Sequence, residues 1–291
     1  MVCEDPAEAD VIGFIGSSRV NFSDVTGSKT YKDHKNKSVL VFFGDRAVPI
    51  LPGIYVSLED NIFTRHRKTL AAGYFLGVTG NDALDIQEDI EDAEYLFSFI
   101  GNALHHPVRK NILQLPSARA YLKDSSIHGR WMPDEHCDAV YRQVMACSKF
   151  VLCPRGKGVS SWRTYEAMRA GRVPVIISDD WTPSPGPDWE SFSLRIGEGE
   201  ISTIPRVLWE TESRAAELGN NARKEWETWY SSDLVFATIA EQLLEIQSRI
   251  ASESRLTRTL TYVQYCDPFF LRHWVLSPIK QKIIKRTRTR G

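Results

Sequence analysis

Short apolar runs separated by polar, glycine-containing stretches dominate the first part of the chain. Residues 11–15 and 39–43 are runs rich in β-branched and aromatic side chains, and residues 54–56 form a third run after a Pro- and Gly-containing loop. Runs of this length are typical of parallel strands that helices cover on both faces. We therefore predict three short strands here, followed by a helix over residues 65–72, where Arg and Lys are frequent.

An acidic stretch interrupts this pattern. Residues 77–94 contain seven Asp or Glu and no Lys or Arg, a composition typical of a solvated linker or an exposed helix face. We place a domain boundary here. The prediction is a first domain over residues 1–90, a second over residues 91–250, and a C-terminal helical segment with a basic tail over residues 251–291 that returns to the first domain.

The alternation of strands and helices then starts again. The pattern predicts strands over 95–100, 149–153 and 173–178, helices over 107–115, 161–170, 212–230 and 233–250, and irregular chain over 101–106 and 179–189. Strands that alternate with helices twice over predict an α/β protein with two doubly wound sheets. Ligands of such sheets bind outside the carboxyl ends of the strands. We therefore expect the functional site in loops at strand ends and in a cleft between the domains.

Composition and charge narrow the class of protein. Of 291 residues, 42% are hydrophobic and 25% charged, and the formal net charge of −1 excludes a uniformly basic nucleic-acid-binding protein. Five scattered cysteines without a Cys-x-x-Cys pair argue against a disulfide framework or a structural zinc site. The sequence contains no segment with the features of a signal peptide and no apolar run of membrane length. We expect a reduced, cytoplasmic protein.

The loop over residues 154–161 is the most informative stretch. A predicted strand leads into Arg155-Gly-Lys-Gly158, and Ser160 and Ser161 precede a predicted helix that they are expected to cap. Glycines let the backbone approach a ligand closely, and the first N–H groups of the helix have no partner within it. With Arg155, Lys157 and Arg163 nearby, the stretch predicts an anion site, most plausibly for a diphosphate.

Residues 150–180 also carry a family resemblance. Cys-Pro-Arg-Gly, Ser-Ser-Trp-Arg-x-Tyr-Glu-Ala-Met-x-Ala-Gly and Val-Pro-Val-Ile-Ile-Ser-Asp resemble the signature of the exostosin family (glycosyltransferase family 47). Phe97-Ser-Phe-Ile-Gly101 with Arg109 resembles the family's other donor-domain motif, and residues 45–55 are also similar to family members. The resemblance is strongest over residues 95–193. It implies a GT-B fold, in which two Rossmann-like domains face a cleft, the first binding the acceptor and the second the nucleotide-sugar donor.

The residues and the resemblance agree about Glu166. It lies about one and a half helical turns after Ser161, where a carboxylate can accept hydrogen bonds from a ribose diol, and its neighbours resemble the donor-site motif of many GT-B enzymes. The alternative is an ordinary position on a helix surface. Retaining enzymes of that wider group carry a second Glu eight positions earlier. Gly158 stands there in this chain, which favours an inverting mechanism.

In an inverting transfer, Arg155, Arg163 and the helix start would stabilise the departing nucleotide diphosphate. Arg109 would add a second bidentate phosphate contact, unless it forms a structural salt bridge. Asp45 is the candidate general base, because it follows a strand end directly after Gly44, although Asp at such a place is also an ordinary turn residue. The predicted donor-binding set is Gly101, Arg109, Arg155, Gly156, Lys157, Gly158, Ser160, Ser161, Arg163, Glu166, Asp179 and Asp180. Further candidates are Glu59, His66 and Asp24 as reserve bases, Asp179 and Asp180 for sugar hydroxyls, and Trp181 and Trp189 for stacking on a sugar or base.

Two other functions stay open from the sequence. Gly156 and Gly158, with Ser161 in third position and Asp179 as the ribose-binding acid, partly match a dinucleotide fingerprint, so an NAD(P)-dependent oxidoreductase is the alternative. A non-catalytic glycan-binding protein is the third.

The resemblance allows UDP carriers of xylose, glucuronic acid, N-acetylglucosamine, galactose or arabinose. We choose UDP-xylose and predict transfer of a single sugar to a glycan hydroxyl, without a metal.

The small net charge conceals a basic C-terminus. Residues 272–291 contain seven Lys or Arg and no acid. Such a segment can be disordered or can contact an anionic membrane, and we favour disorder with peripheral membrane contact as the alternative.

Overall fold

A computed structural model of the chain describes residues 3–16, 22–45, 49, 51–60, 69–74, 84–86, 88–116, 118–126 and 135–251, with the backbone alone at 22–23, 135–138 and 251. These residues form two parallel sheets with helices packed against them. The arrangement confirms the predicted α/β class and its two parallel sheets.

The first sheet has four parallel strands in the order of the chain, β1-β2-β3-β4. They are β1 Ile12–Gly16, β2 Ser38–Phe42, β3 Gly53–Tyr55 and β4 Thr69–Ala71. The first three confirm the predicted strands. The predicted helix over residues 65–72 is wrong for its last part, because residues 69–71 are all buried and pair with β3 in parallel register.

Two short helices and a 3₁₀ turn connect β1 to β2. The helices are α1 Phe22–Gly27 and α2 Lys29–Asp33, and the turn is Lys35–Lys37. The Ser28 hydroxyl accepts a hydrogen bond from Tyr31 N at 3.2 Å and so caps α2.

The second sheet has five parallel strands in the order β6-β5-β7-β8-β9. They are β5 Tyr95–Gly101, β6 Ala120–Asp124, β7 Ser148–Pro154, β8 Val173–Ile177 and β9 Leu194–Arg195. The chain turns from β5 to β6 on one side and then crosses to β7 on the other. The strand order therefore reverses between β5 and β7. Ligands of open α/β sheets bind at such a reversal, outside the carboxyl ends of the strands.

Five helices accompany this sheet. They are α3 Pro107–Ile112, α4 Glu135–Ala146, α5 Trp162–Arg169, α6 Ile204–Thr211 and α7 Ala215–Trp229. The predicted helices that begin at Pro107 and after Ser161 are confirmed, and Gly171 ends the second of them with a φ of 63°. The sequence pattern missed β6, α4 and α6.

The last described helix, α8 Val235–Ala251, packs against the first sheet rather than the second. Ile246 and Ile250 are buried in the same core as Val39 and Ile54. The return to the first sheet, predicted for residues after 250, thus begins with this helix. Residues 252–291, which include the basic tail, lie outside the described residues, so the membrane contact of the tail stays a prediction.

The acidic stretch is anchored to the second half of the chain. Leu84 and Ile90 are buried, and Asp85 binds the Arg169 guanidinium through two hydrogen bonds, at 3.1 and 2.7 Å, and Arg223 at 2.8 Å. The prediction of a solvated linker is therefore wrong for residues 84, 85 and 90, because apolar burial and ion pairing hold them. The other described acids of the stretch are exposed: Glu88, Asp89, Glu91, Asp92 and Glu94.

Loops from the two sheets are in direct contact. Asp60 N donates to Asp180 O at 2.7 Å, and Thr182 N donates to Leu58 O at 3.3 Å. Both bonds lie where chain leaves a strand, so the carboxyl ends of the two sheets meet. Among the described helices, none combines the length and apolarity needed to cross a membrane.

Candidate active site

The loop between β7 and α5 lies at the reversal of strand order. Arg155 N donates to Ile177 O at the end of β8, at 3.0 Å, and Gly156 N donates to Gly158 O at 3.0 Å. The first bond ties the loop to the neighbouring strand, and the second closes it into a tight turn. The loop is therefore held at the carboxyl edge of the sheet.

The Arg109 side chain supports this loop from beneath. Its Nε donates to Arg155 O at 2.8 Å, and its two terminal nitrogens donate to Pro154 O and Asn102 O at 3.3 and 3.4 Å. Burial, followed by repulsion from Arg163, lowers the pKa of Arg109 to about 10. A Cβ at Gly156 would lie 2.8 Å from the guanidinium, so this position suits glycine. Because these donors are directed at carbonyls, a direct phosphate contact by Arg109 stays a prediction.

Arg163 occupies the first turn of α5 and contacts β5. Its guanidinium carbon lies 4.9 Å from the centre of the Phe99 ring and 5.9 Å from that of Tyr141. One terminal nitrogen donates to Ile100 O, next to Gly101. A Cβ at Gly101 would lie 3.2 Å from the same guanidinium. Arg163 therefore stacks between two aromatic rings at the end of β5.

Glu166 faces the same region from the next turn of α5. Its Oε2 accepts a hydrogen bond of 2.6 Å from the Tyr141 hydroxyl. Tyr141 lies on α4, a helix that the sequence pattern missed. The structure thus brings Arg163, Glu166 and Tyr141 together. The sequence analysis predicts the first two as site residues and does not identify Tyr141.

Arg155 is paired with carboxylates. It donates to Asp180 Oδ2 at 3.3 Å and to Glu198 Oε1 at 3.2 Å. Glu198 also accepts from Asp179 N at 3.1 Å, and Glu198 N donates to Asp179 Oδ1 at 2.9 Å. Lys157 is exposed on the loop. Asp179 and Asp180 therefore lie beside Arg155 as predicted, and Glu198 is an addition that the sequence did not indicate.

The predicted serine cap of α5 is wrong. Ser161 holds the N-cap position with an extended backbone, φ −127° and ψ 131°, but its hydroxyl makes no capping hydrogen bond. Ser160 and Ser161 are both buried, and Ser160 N donates to Ser57 Oγ of the first domain at 3.2 Å. Because the serine hydroxyl does not take the first N–H groups of α5, they keep their donor capacity toward an anion.

Gly158 lies in the loop over residues 155–161, called the donor loop below, next to residues that follow strands of the first sheet. A Cβ built on it would lie 2.0 Å from Asp45 O and 2.3 Å from Ser57 Oγ. The Asp45 side chain is exposed, and its Oδ1 accepts from the Tyr74 hydroxyl at 3.1 Å. Burial, then the Asp45 charge, raises the pKa of Tyr74 well above its ordinary value. The structure therefore brings Asp45 to the loop, while its role as a base stays a prediction.

The other sequence candidates are less central. Trp181 is buried, and its ring centre lies 4.9 Å from that of Trp189 in an edge-to-face contact. The expectation that these rings stack on a ligand is therefore unsupported, since they pack on each other. Glu59 forms a β-bridge with Trp181, Asp24 lies on α1, and His66 is outside the described residues. Over the described ranges, no group of three or more His, Cys, Asp or Glu is placed to hold a metal ion.

Every donor-site residue discussed above falls within residues 75–211, which match the family model of the exostosin GT47 domain. Residues 75–211 are an exostosin GT47 domain. Asp45, by contrast, precedes the exostosin domain.

Curated relatives are similar over parts of the chain. The Exostosin-1 homolog of Caenorhabditis elegans is 34% identical over 127 residues, which cover 43% of this chain and 30% of that protein. The ribitol-5-phosphate xylosyltransferase 1 of Danio rerio is 34% identical over 97 residues, covering 32% and 22%. The chain spans less than a third of the length of either relative.

Solved structures are similar at low identity. A glycosyltransferase from Rickettsia africae ESF-5 has a TM-score of 0.45 and 10% identity, covering 82% of this chain and 77% of that chain. Anabaena Alr3699/HepE in complex with UDP has a TM-score of 0.39 and 10% identity, covering 80% and 99%. Similarity at this level does not assign a role to any residue of the exostosin domain.

A separate charged cluster of Glu212, Arg119 and Lys149 lies at the other end of the second sheet. Glu212 directly follows the exostosin domain, and the two basic residues fall within it. Glu212 binds Arg119 through two hydrogen bonds, at 2.7 and 2.9 Å, and Lys149 at 2.9 Å. The hydrogen bond from Arg119, ahead of that from Lys149, lowers the pKa of Glu212 to about 2. Lys149 and Glu212 line a surface cavity of about 510 Å³. The cluster lies where β7 begins, at the other end of that strand from the donor loop.

Proposed function

We propose that the chain transfers a sugar from a UDP-sugar to a glycan hydroxyl, with the donor bound at the carboxyl ends of β5 and β7. The observation that carries the proposal is the convergence of Arg163, Glu166 and the glycine loop at the reversal of strand order, inside the exostosin domain. This is the position at which open α/β sheets bind ligands. The choice of UDP as the carrier rests on the match of residues 75–211 to the exostosin GT47 domain.

The roles follow from charge and position. Arg163, Lys157 and the uncapped N–H groups of α5 stabilise the leaving diphosphate, since charges fixed in advance need no reorganisation during the reaction. Arg155, held by Asp180 and Glu198, adds positive charge near the diphosphate. Glu166 accepts hydrogen bonds from the ribose hydroxyls. Gly156, Ser160 and Ser161 form the backbone around the diphosphate, and Arg109 holds the loop in place.

The proposed reaction inverts the anomeric centre. A retaining enzyme of the resembled group carries a carboxylate at the position of Gly158. A side chain there is opposed by the backbone of Asp45, 2.0 Å from the position of a Cβ. In the inverting reaction Asp45 takes the proton of the acceptor hydroxyl as that oxygen attacks the anomeric carbon, and UDP leaves from the opposite face. A positioned base typically contributes about 10²- to 10⁴-fold.

UDP-xylose is the proposed donor. The Danio rerio relative, named a xylosyltransferase, supports this choice over the part of its length that matches. Asp179 and Asp180, at the end of β8, are proposed to accept from the hydroxyls of the donor sugar. No metal is part of the proposal.

The test is a UDP-release assay with UDP-xylose, UDP-glucuronic acid, UDP-N-acetylglucosamine, UDP-galactose and UDP-arabinose, each with a panel of glycan acceptors. We expect acceptor-dependent UDP release with UDP-xylose, and a lower rate in Glu166→Gln. Thermal shifts with NAD and NADP run in parallel. Stabilisation by NAD(P) without UDP release would favour an oxidoreductase, and glycan binding without donor binding or UDP release would favour a non-catalytic protein.

A further inference from the structure

One partly buried contact of the exostosin domain has no part in the roles given above. The Tyr141 hydroxyl donates to Glu166 Oε2 at 2.6 Å, a length typical of a hydrogen bond to an ionised carboxylate. The two residues come from different helices, α4 and α5. The contact therefore fixes one oxygen of Glu166 from outside its own helix.

The Tyr141 hydroxyl is the donor of this hydrogen bond. Burial, followed by the charge of Glu166, raises the pKa of Tyr141 well above its ordinary value. Tyr141 is then a neutral phenol at neutral pH, and its hydroxyl donates to the carboxylate.

The ring of Tyr141 also contacts the phosphate side of the site. Its centre lies 5.9 Å from the guanidinium carbon of Arg163, whose other neighbour is Phe99. The same side chain thus touches both the carboxylate assigned to the ribose and the arginine assigned to the diphosphate. The hydroxyl bonds to Glu166 and also interacts with the Arg163 guanidinium, which lies over the ring. Removing the hydroxyl alone therefore leaves the contact of the ring with Arg163.

We infer that Tyr141 is a positioning residue for donor binding, whose hydroxyl orients Glu166 toward the nucleotide ribose while its ring supports Arg163. The inference rests on the proposed function, because it assumes that UDP binds here with its ribose at Glu166. It assigns Tyr141 a role in nucleotide affinity and no direct part in sugar transfer.

The first test compares UDP with 2′-deoxy-UDP by calorimetry. Wild-type protein should prefer UDP by about tenfold, the effect of one hydrogen bond to a charged group. Tyr141→Phe keeps the ring and removes the hydroxyl, so UDP should bind about tenfold more weakly and the preference should shrink to about twofold. In turnover, KM for the donor should rise while kcat changes little. Tyr141→Leu also removes the ring and should weaken UDP binding further, without restoring the ribose preference.

The matched control is Tyr55→Phe. Tyr55 is buried in β3, and its hydroxyl donates to Leu51 O at 2.7 Å, so this variant also loses one phenolic hydrogen bond but lies in the first sheet. Its UDP affinity and ribose preference should equal those of wild type, whatever its melting temperature. If Tyr141 had a purely structural role, Tyr141→Phe would melt at a lower temperature than wild type, as Tyr55→Phe is free to do. Tyr141→Phe would then keep the ribose preference of wild type.

A double-mutant cycle then shows through which residue Tyr141 acts. Glu166→Gln alone should weaken UDP binding, and Tyr141→Phe added to it should weaken binding by much less than it does in wild type, because the inferred role of the hydroxyl is exerted through the carboxylate. A small further loss is expected from the interaction of the hydroxyl with Arg163. Fully additive losses, or a retained ribose preference in Tyr141→Phe, would overturn the inference. If wild-type protein binds no UDP, the proposed function fails first. If it binds UDP without a ribose preference, the proposed function stands and the inference fails.

Discussion

Gly158 makes the sharpest prediction about how the two sheets form one site. In Gly158→Ala the added methyl carbon would lie 2.0 Å from Asp45 O, 2.3 Å from Ser57 Oγ and 2.8 Å from the Asp45 carbonyl carbon. Two of these three atoms are backbone, so no side-chain rotation relieves the overlap. The loop and Asp45 have to separate by about 1 Å before the contact becomes tolerable.

The expected cost of the methyl group is that of overpacking. Such insertions destabilise proteins by about 1–3 kcal/mol, and a change of 1 kcal/mol shifts the melting temperature of a chain of this size by about 2–4 °C. The catalytic cost is larger, because a displacement of about 1 Å between reacting groups can reduce turnover by about 100-fold. Asp45, the proposed base, is the residue that the methyl group displaces.

Thermal unfolding, UDP calorimetry and acceptor-dependent UDP release measure these effects on the same preparation. Gly199→Ala is the control, since a Cβ there has no neighbour within 4 Å, and it should leave all three measurements near wild type. We expect Gly158→Ala to melt lower and to lose most of its turnover while UDP still binds. A Gly158→Ala protein that melts and turns over like Gly199→Ala would refute the proposed contact between the donor loop and the first domain.

Three other changes test separate parts of the structure. Asp45→Asn removes the proposed base, so UDP release should fall by about 100-fold or more while the Kd for UDP from calorimetry is unchanged; wild-type turnover would exclude Asp45. Arg109→Lys replaces the planar fork by a point charge, so its bonds to the loop carbonyls are lost and the free energy of unfolding in urea should fall by about 1–3 kcal/mol; unchanged stability would contradict its supporting role. The pKa of Glu212, lowered from 4.5 to about 2 by Arg119 and Lys149, makes the folded state bind fewer protons than the unfolded state. The contribution of the Glu212 carboxylate to the free energy of unfolding is present above about pH 5 and is lost as pH falls toward about 2. The urea midpoint of Glu212→Gln should therefore fall less steeply over this range than that of wild type. Parallel curves for the two proteins would contradict the ion pairing of Glu212 with Arg119 and Lys149.

The sequence predicts best the strands that are buried on both faces. β2, β7 and β8 are continuous apolar runs, so their positions follow from hydrophobicity alone. β6 is half-exposed along most of its length and has no such signal. β4 is only three residues long and follows a basic stretch, so its burial depends on pairing with β3.

For the site, the sequence identifies residues of the loop better than their partners. Charge and glycine spacing point to Arg163 and Gly158, and the family resemblance adds Glu166. The hydroxyl of Tyr141 and the carboxylate of Glu198 reach the site from separate elements, and local sequence does not show which surfaces these elements face. Tyr141 and Val144, followed by Met145, have the i, i+3, i+4 spacing of a helix face, which was the available signal for α4.

The packing of α8 on the first sheet has a consequence for synthesis on the ribosome. β1 to β4 leave the ribosome first, but their core includes Ile246 and Ile250 from the last described helix. Part of the apolar face of the first sheet therefore stays uncovered until almost all of the described chain has emerged. The second sheet and α3 to α7 are contiguous in sequence, so their contacts can form earlier. The nascent chain would thus complete its two cores in the reverse of the order in which their strands are translated.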